Sequence, residues 1–278
     1  MTNTAPAMAV GRVAHSRVTL LLAGFAAVGV VLVALAGPLL GSRSPTAPVG
    51  LPFEAPTGAY PAGTDAVGRD VLSRLLHGGR AVVLLAIGAT ALASLCGALL
   101  GVFAGLIDRR TGELVVRVVD VVAVVPGLLV LLVLAAGFPG SDSAVLVGVA
   151  LVSLPFSVRV LRAATWQVAV RGFVDTARAR GDSRWRIIRY DLVPNIVGTM
   201  LAEAGIRFSA AVHLTATAGF LGLGAGPPTP NWGRMVSENA AGINLTVWPV
   251  LLPALLLVLF TVSVNLLADD LAARWADR

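Results

Sequence analysis

The chain has 278 residues, 56% hydrophobic and 13% charged, with a mean hydropathy of +0.85 and a formal net charge of +6. This is too apolar for a soluble domain, and in such a chain excess arginine reports cytoplasmic loops facing anionic lipid rather than a nucleic-acid partner. All 21 basic residues are arginine, so there is no P-loop lysine and no nucleotide site of that kind, and the single Cys96 excludes an intrachain disulfide or a cysteine zinc cluster.

Residues 1–17 are a short polar lead carrying Arg12, His15 and Arg17. Residues 18–38 form an uncharged run of about bilayer length. It is longer than the apolar part of a signal peptide, and no small-x-small cleavage site comes after it, so it reads as a retained first span. Residues 41–80 are rich in Pro and Gly and begin as an irregular external loop. Val71, Leu72, Leu75 and Leu76, set opposite Arg69, Ser73 and Arg74, predict a short helix over 70–76 lying in the interface plane. Gly78-Gly79 is then read as the turn into the membrane.

Residues 81–107 are a second uncharged span, with Gly97, Gly101 and Gly105 forming a small-residue stripe that lets helices approach closely. A charged hinge over 108–117 precedes a third span at 118–138, interrupted at Pro126-Gly127. After a tight turn at 139–142, residues 143–158 are a shorter fourth span, with Arg159 and Arg162 snorkelling at its end. The fifth span, 196–219, is unusual in containing Glu203, Arg207 and His213. Residues 220–242 are a Gly/Pro-rich loop expected to be turns rather than helix, with Trp232 and Trp248 at the headgroup level. Residues 247–267 are the sixth span. Arginines concentrate in the segments that are internal if the N-terminus is internal, which places both termini in the cytoplasm. The fold class is therefore all-α integral membrane, with six transmembrane helices.

Between the fourth and fifth spans, residues 172–195 read GFVDTARARGDSRWRIIRYDLVPN. Apolar residues alternate with arginines in the pattern of two short amphipathic helices broken at Gly181-Asp182-Ser183, where glycine permits the turn and Asp or Ser caps the second helix. Such an element is built to dock on something. The spacing of Asp175-Thr176-Ala177, Gly181, Ile187-Ile188 and Pro194 resembles the EAA loop of ABC-importer permeases. Asp175 stands for the usual Glu and Thr176 for the first Ala, which keeps the charge sign and the small size.

Three further segments extend the resemblance. GTDAVGRDVLSRLLHGGR, FLGLGAGPPTPNWGRMV and VSVNLLADDL are similar, in order and separation, to the C-type permease of dipeptide, oligopeptide and nickel ABC importers. The resemblance implies a type I ABC importer permease fold with its core over 63–271, preceded by the first helix and external loop at 18–62 and followed by a tail at 272–278. It implies a coupling loop that sits in a cleft of an ATPase subunit. It also implies a second homologous permease, two ATPase subunits or a fused pair that bind ATP and Mg, and an external solute-binding protein, all at a bacterial inner membrane. The chain itself carries no cofactor and no catalytic residue. Phe220, Leu221, Gly222, Pro228 and Trp232 become candidates for an external gate or receptor-docking loop.

Glu203 and Arg207 lie one turn apart in the order that favours an ion pair. They either neutralise one another or line the substrate path with His213. The family usually has uncharged residues here. A lone histidine is poor evidence for a metal. Peptide is the expected substrate, with nickel or a metal chelate as the alternative. An ion-driven carrier using Glu203 and Arg207 as a proton relay is the rival from another class.

Overall fold

The computed structural model describes residues 16–276, so the polar lead over 1–15 and the last two residues of the tail lie outside the described residues. The described residues form ten α-helices joined by loops, the longest of them over 41–70 and carrying two isolated β-bridges. The helices are α1 (Arg17–Leu40), α2 (Val71–Leu106), α3 (Arg109–Val124), α4 (Gly127–Gly137), α5 (Asp142–Ala169), α6 (Gly172–Ala179), α7 (Arg184–Arg186), α8 (Val193–Phe220), α9 (Trp232–Asn239) and α10 (Trp248–Ala276). Four of them (α1, α2, α5, α10) are long and apolar enough to cross a membrane, and α3 with α4 make a fifth such segment bent by 79°. The bend is at Pro126-Gly127, as the sequence predicts, because proline cannot donate the hydrogen bond that would continue α3. Asp108 caps α3 by accepting from the Thr111 N–H at 2.9 Å, which holds its carboxyl below the usual carboxylate range.

The bundle centres on α2, α5 and α8, with α1 and α10 packed along one side. The small stripe of α2 does what its spacing predicts. A Cβ on Gly97 would come within 2.5 Å of Ser157, on Gly101 within 2.9 Å of Leu161 and on Gly105 within 2.7 Å of Thr165, all residues of α5. Across α8 and α10, Phe208 and Phe260 meet edge to face at 6.1 Å, and Ser209 donates to Asn265.

The start of α2 departs from expectation. Residues 70–76 are not a separate interfacial helix, and Gly78-Gly79 is not a turn, because α2 runs unbroken from Val71. Arg69, Ser73 and Arg74, expected to face water, are buried, Arg74 completely. Added Cβ atoms at Gly78 and Gly79 would lie 3.0 Å and 2.4 Å from the Trp232 ring. The glycines therefore make room for an indole, a packing use of glycine that the backbone-freedom argument does not anticipate. Span limits shift as well, since the fourth runs on to Ala169 and takes Arg159 and Arg162 inside the helix.

The 220–242 loop also differs from its sequence reading. Its first half is turns, with Gly222 and Gly224 at positive φ and a cis peptide between Pro227 and Pro228. Its second half is α9, started by Asn231, whose side chain accepts from the Gly233 and Arg234 amides. Trp232 is not at a headgroup surface. It is fully buried, and its indole N–H donates to the Leu75 carbonyl at 2.7 Å.

Candidate functional site

The candidate residues gather at two opposite ends of the bundle and along α8. At the arginine-rich end, α6 and α7 are the two short helices expected, hinged at Gly181 with φ +79°. Ser183 caps α7 by accepting from the Arg186 amide at 3.3 Å, while Asp182 pairs with Arg180 and Arg186. Side chains divide by face. Val174 and Ala177 are completely buried, and with Ile187, Leu192 and Ile196 they form a core against Val102 of α2 and Val168 of α5. Ile188 is half-buried beside that core. Asp175, Thr176 and Gly181 face outward with Phe173, Arg184, Trp185 and Tyr190.

The candidates are thus of two kinds. Ala177 and Ile187 fasten the loop to the bundle, whereas Asp175, Thr176 and Gly181 belong to the surface it offers. Thr176 is itself fixed by donating to the Gly172 carbonyl at 2.9 Å. Between α7 and α8 the chain widens into a π segment, Ile187–Leu192. Pro194, exposed in the first turn of α8, cannot supply an amide hydrogen to the turn before it. The Asn195 side chain donates to the Asp191 carbonyl at 2.7 Å.

Along α8, Arg207 Nε lies 2.9 Å from Glu203 Oε1. The same Glu203 oxygen accepts from the Ser157 hydroxyl of α5 at 3.1 Å, and Glu203 is buried. Arg207 also stands 5.1 Å over the Phe156 ring. Glu203 is therefore neutralised inside this chain and ties α8 to α5. A buried carboxylate stripped of such a partner costs about 3–5 kcal/mol. His213 is not part of this set. It is exposed at the rim of a largely apolar groove of about 400 Å³ between α8, α9 and α10. Among the described residues, no group of three or more His, Cys, Asp or Glu could hold a metal ion.

At the end opposite the arginine-rich loop, Phe220, Leu221, Gly222 and Pro228 are exposed, whereas Trp232 is the buried anchor of α9. Sequence reasoning missed what holds this end together. Asp65 Oδ2 takes Arg69 Nε at 2.6 Å and Arg74 Nε at 3.2 Å, and Glu238 Oε2 takes Arg69 Nη2 at 3.1 Å and Arg74 Nη2 at 2.8 Å. Two carboxylates and two guanidiniums alternate, so each buried charge has two opposite neighbours, the arrangement that offsets desolvation. The Asn239 side chain accepts from the Ala66 amide at 2.9 Å, and the Phe53 ring lies against Gly242. These contacts fasten the 41–70 loop onto α9. The one signal in the sequence was the i,i+4 spacing of Asp65 and Arg69.

Known proteins resemble this chain in sequence and in fold. Residues 97–277 match the family model described as a binding-protein-dependent transport system inner membrane component. The di/tripeptide transport system permease protein DppC of Pseudomonas aeruginosa is 37% identical over 75% of this chain and 69% of its own. The probable D,D-dipeptide transport system permease protein DdpC of Escherichia coli is 32% identical over 78% and 72%. Among solved structures, an inward-facing MetNI methionine ABC transporter chain aligns with a TM-score of 0.59 at 18% identity, covering 73% of this chain and 96% of that one. At that identity the likeness concerns the fold.

Proposed function

Since the chain belongs to the family of binding-protein-dependent transport system inner membrane components, we propose that it is the permease subunit through which an ATP-driven ABC importer takes up di- and oligopeptides. It is a multi-pass inner-membrane protein of an importer class that works with ATPase subunits. In the finer reading, α8 is the fifth of six spans, its hydropathy lowered by Glu203 and Arg207. Both termini and the 172–195 loop are cytoplasmic, as the arginine bias supports. The partners are a second homologous permease, two ATPase subunits or a fused pair supplying ATP and Mg, and an external solute-binding protein.

The observation that carries this reading is the two-faced loop at 172–195. Val174 and Ala177 lock it to α2 and α5, while Phe173, Thr176 and Trp185 are presented outward on two helices hinged at Gly181. That is the shape of a lever end: fixed to the helices that move, and offering side chains to a subunit that drives them. At the other face, the exposed Phe220, Leu221, Gly222 and Pro228 serve as gate or receptor-docking loop. Of the three α8 candidates, His213 is the one open to a passing solute. The closed Glu203–Arg207 pair supports a self-neutralising role.

Uptake into proteoliposomes holding the permease pair and its ATPases, with binding protein added on the binding-protein side, tests the function. ATP-dependent accumulation of a labelled dipeptide that survives a proton ionophore is expected. Uptake that tracks an ion gradient without ATP overturns it in favour of a secondary carrier.

A further inference from the structure

A further pocket, with charged groups in its walls, lies at the same end of the bundle as the 172–195 loop. It is a cavity of about 430 Å³ between the end of α2, the start of α3 and the last third of α5, lined among others by Ile107, Arg109, Glu113, Arg159, Arg162 and Trp166. Its charges do not cancel. Arg109 pairs with Glu113 at 2.9 Å, and Arg159 pairs with Asp120 at 2.8 Å. Among the described residues Arg162 has no ion pair within 4 Å, though its charge acts on Glu113, which Arg109 already pairs. The Arg162 Nε donates only to the Ala104 carbonyl, at 3.4 Å, and neither Nη group has an acceptor among those residues. The walls are held close, since an added Cβ on Gly112 of α3 would lie 2.3 Å from the Ala104 carbonyl oxygen.

Depth indicates what an unmatched guanidinium at this place meets. Arg162 is twenty residues into α5, or about 30 Å along a helix axis, the thickness of the hydrocarbon layer. Trp166, exposed one turn further on, is of the type that sits at the headgroup level. An arginine placed there, with two forked donors free and an aromatic neighbour, is matched to a phosphate group presented from the bilayer. We propose that this pocket binds the headgroup phosphate of an anionic phospholipid of the cytoplasmic leaflet, with Arg162 as its principal donor. The proposal rests on the cytoplasmic placement of this end of the bundle but not on the transported solute, so a failed peptide assay leaves it standing.

The test uses the assembled transporter in nanodiscs of phosphatidylcholine doped with brominated phosphatidylglycerol or, separately, brominated phosphatidylcholine. Trp166 emission is isolated as the difference between the parent protein and Trp166→Phe. Phosphatidylglycerol is expected to quench the Trp166 signal more than phosphatidylcholine. Arg162→Gln should weaken that preference about fivefold, the effect of one basic residue near an anionic surface. Arg274→Gln, outside the pocket, should leave it unchanged. If Arg162→Gln does not assemble, the parent protein still decides: unbrominated phosphatidylglycerol must restore Trp166 emission where unbrominated phosphatidylcholine does not. Equal quenching by both lipids overturns the proposal. So does displacement by inorganic phosphate alone, which marks a free-anion site. Loss of ATPase subunits from Arg162→Gln with the lipid preference intact also overturns it, because Arg162 then contacts protein.

Discussion

The Arg207 guanidinium reaches back one helical turn to Glu203, Nε to Oε1 at 2.9 Å, and the same oxygen is held from α5 by the Ser157 hydroxyl. Arg207 retains some exposure, 17% of its side chain, whereas Glu203 has 5%. The carboxylate is therefore the partner that suffers when the pair is opened.

Arg207→Met should accordingly lower the yield and melting temperature of the purified complex more than Glu203→Gln/Arg207→Met does. Breaking a buried pair costs about 3–5 kcal/mol, while removing both charges approaches neutrality. Equal damage from the single and double variants would mean that the pair is not what stabilises this turn of α8.

At Gly79 a methyl group would lie 2.4 Å from the Trp232 ring and 2.7 Å from the Ala34 Cβ. Gly79→Ala should destabilise by about 1–3 kcal/mol, the usual cost of overpacking. Gly58→Ala, with nothing within 4 Å of the added carbon, should be close to neutral. Thermal unfolding of the two variants side by side makes the comparison.

Gly181 has open space around it and a φ of +79°, so only its backbone resists substitution. Gly181→Asn should keep transport. Gly181→Val should cost about 1–2 kcal/mol locally and let ATP hydrolysis run without uptake, provided the loop is the coupling element. Full peptide uptake by the valine variant would detach this hinge from coupling.

In a Cys96→Ala background, cysteines at Leu221 and Thr229 should react with a membrane-impermeant thiol reagent from outside the cell. A cysteine at the buried Met235 should not. Reaction at Leu221 and Thr229 only from the cytoplasmic side would invert the topology.

Patterns that repeat along the chain were legible. The apolar runs, the Pro126-Gly127 break, the Gly97-Gly101-Gly105 stripe and the two helices hinged at Gly181 arise from period and local chemistry, and the structure contains each of them. Glu203 and Arg207 pair as their spacing predicts, though the Ser157 contact could not be read from α8 alone. The features that stayed hidden depend on partners distant in sequence. Arg74 reads as a solvated face until Glu238, 164 residues away, is placed beside it. Gly78-Gly79 reads as a turn until Trp232 fills the space. Trp232 itself reads as a membrane-surface residue because its amphipathic ring suits a headgroup as well as it suits the Leu75 carbonyl. Ala177 matches a docking motif by spacing, but only the contacts with α2 and α5 show that it faces inward.

The unbroken course of α2 has a mechanical consequence. Thirty-six helical residues make a rod of about 54 Å, well beyond the hydrocarbon layer. One end grips α9 through the Leu75–Trp232 hydrogen bond, and the other beds the arginine-rich loop through Val102. A glycine turn at 78–79 would have absorbed motion as a universal joint does. Packed against an indole instead, the rod has no such joint, and a tilt of roughly 10° about one end displaces the other by about 9 Å. A displacement at one end of α2 is thereby passed directly to the other.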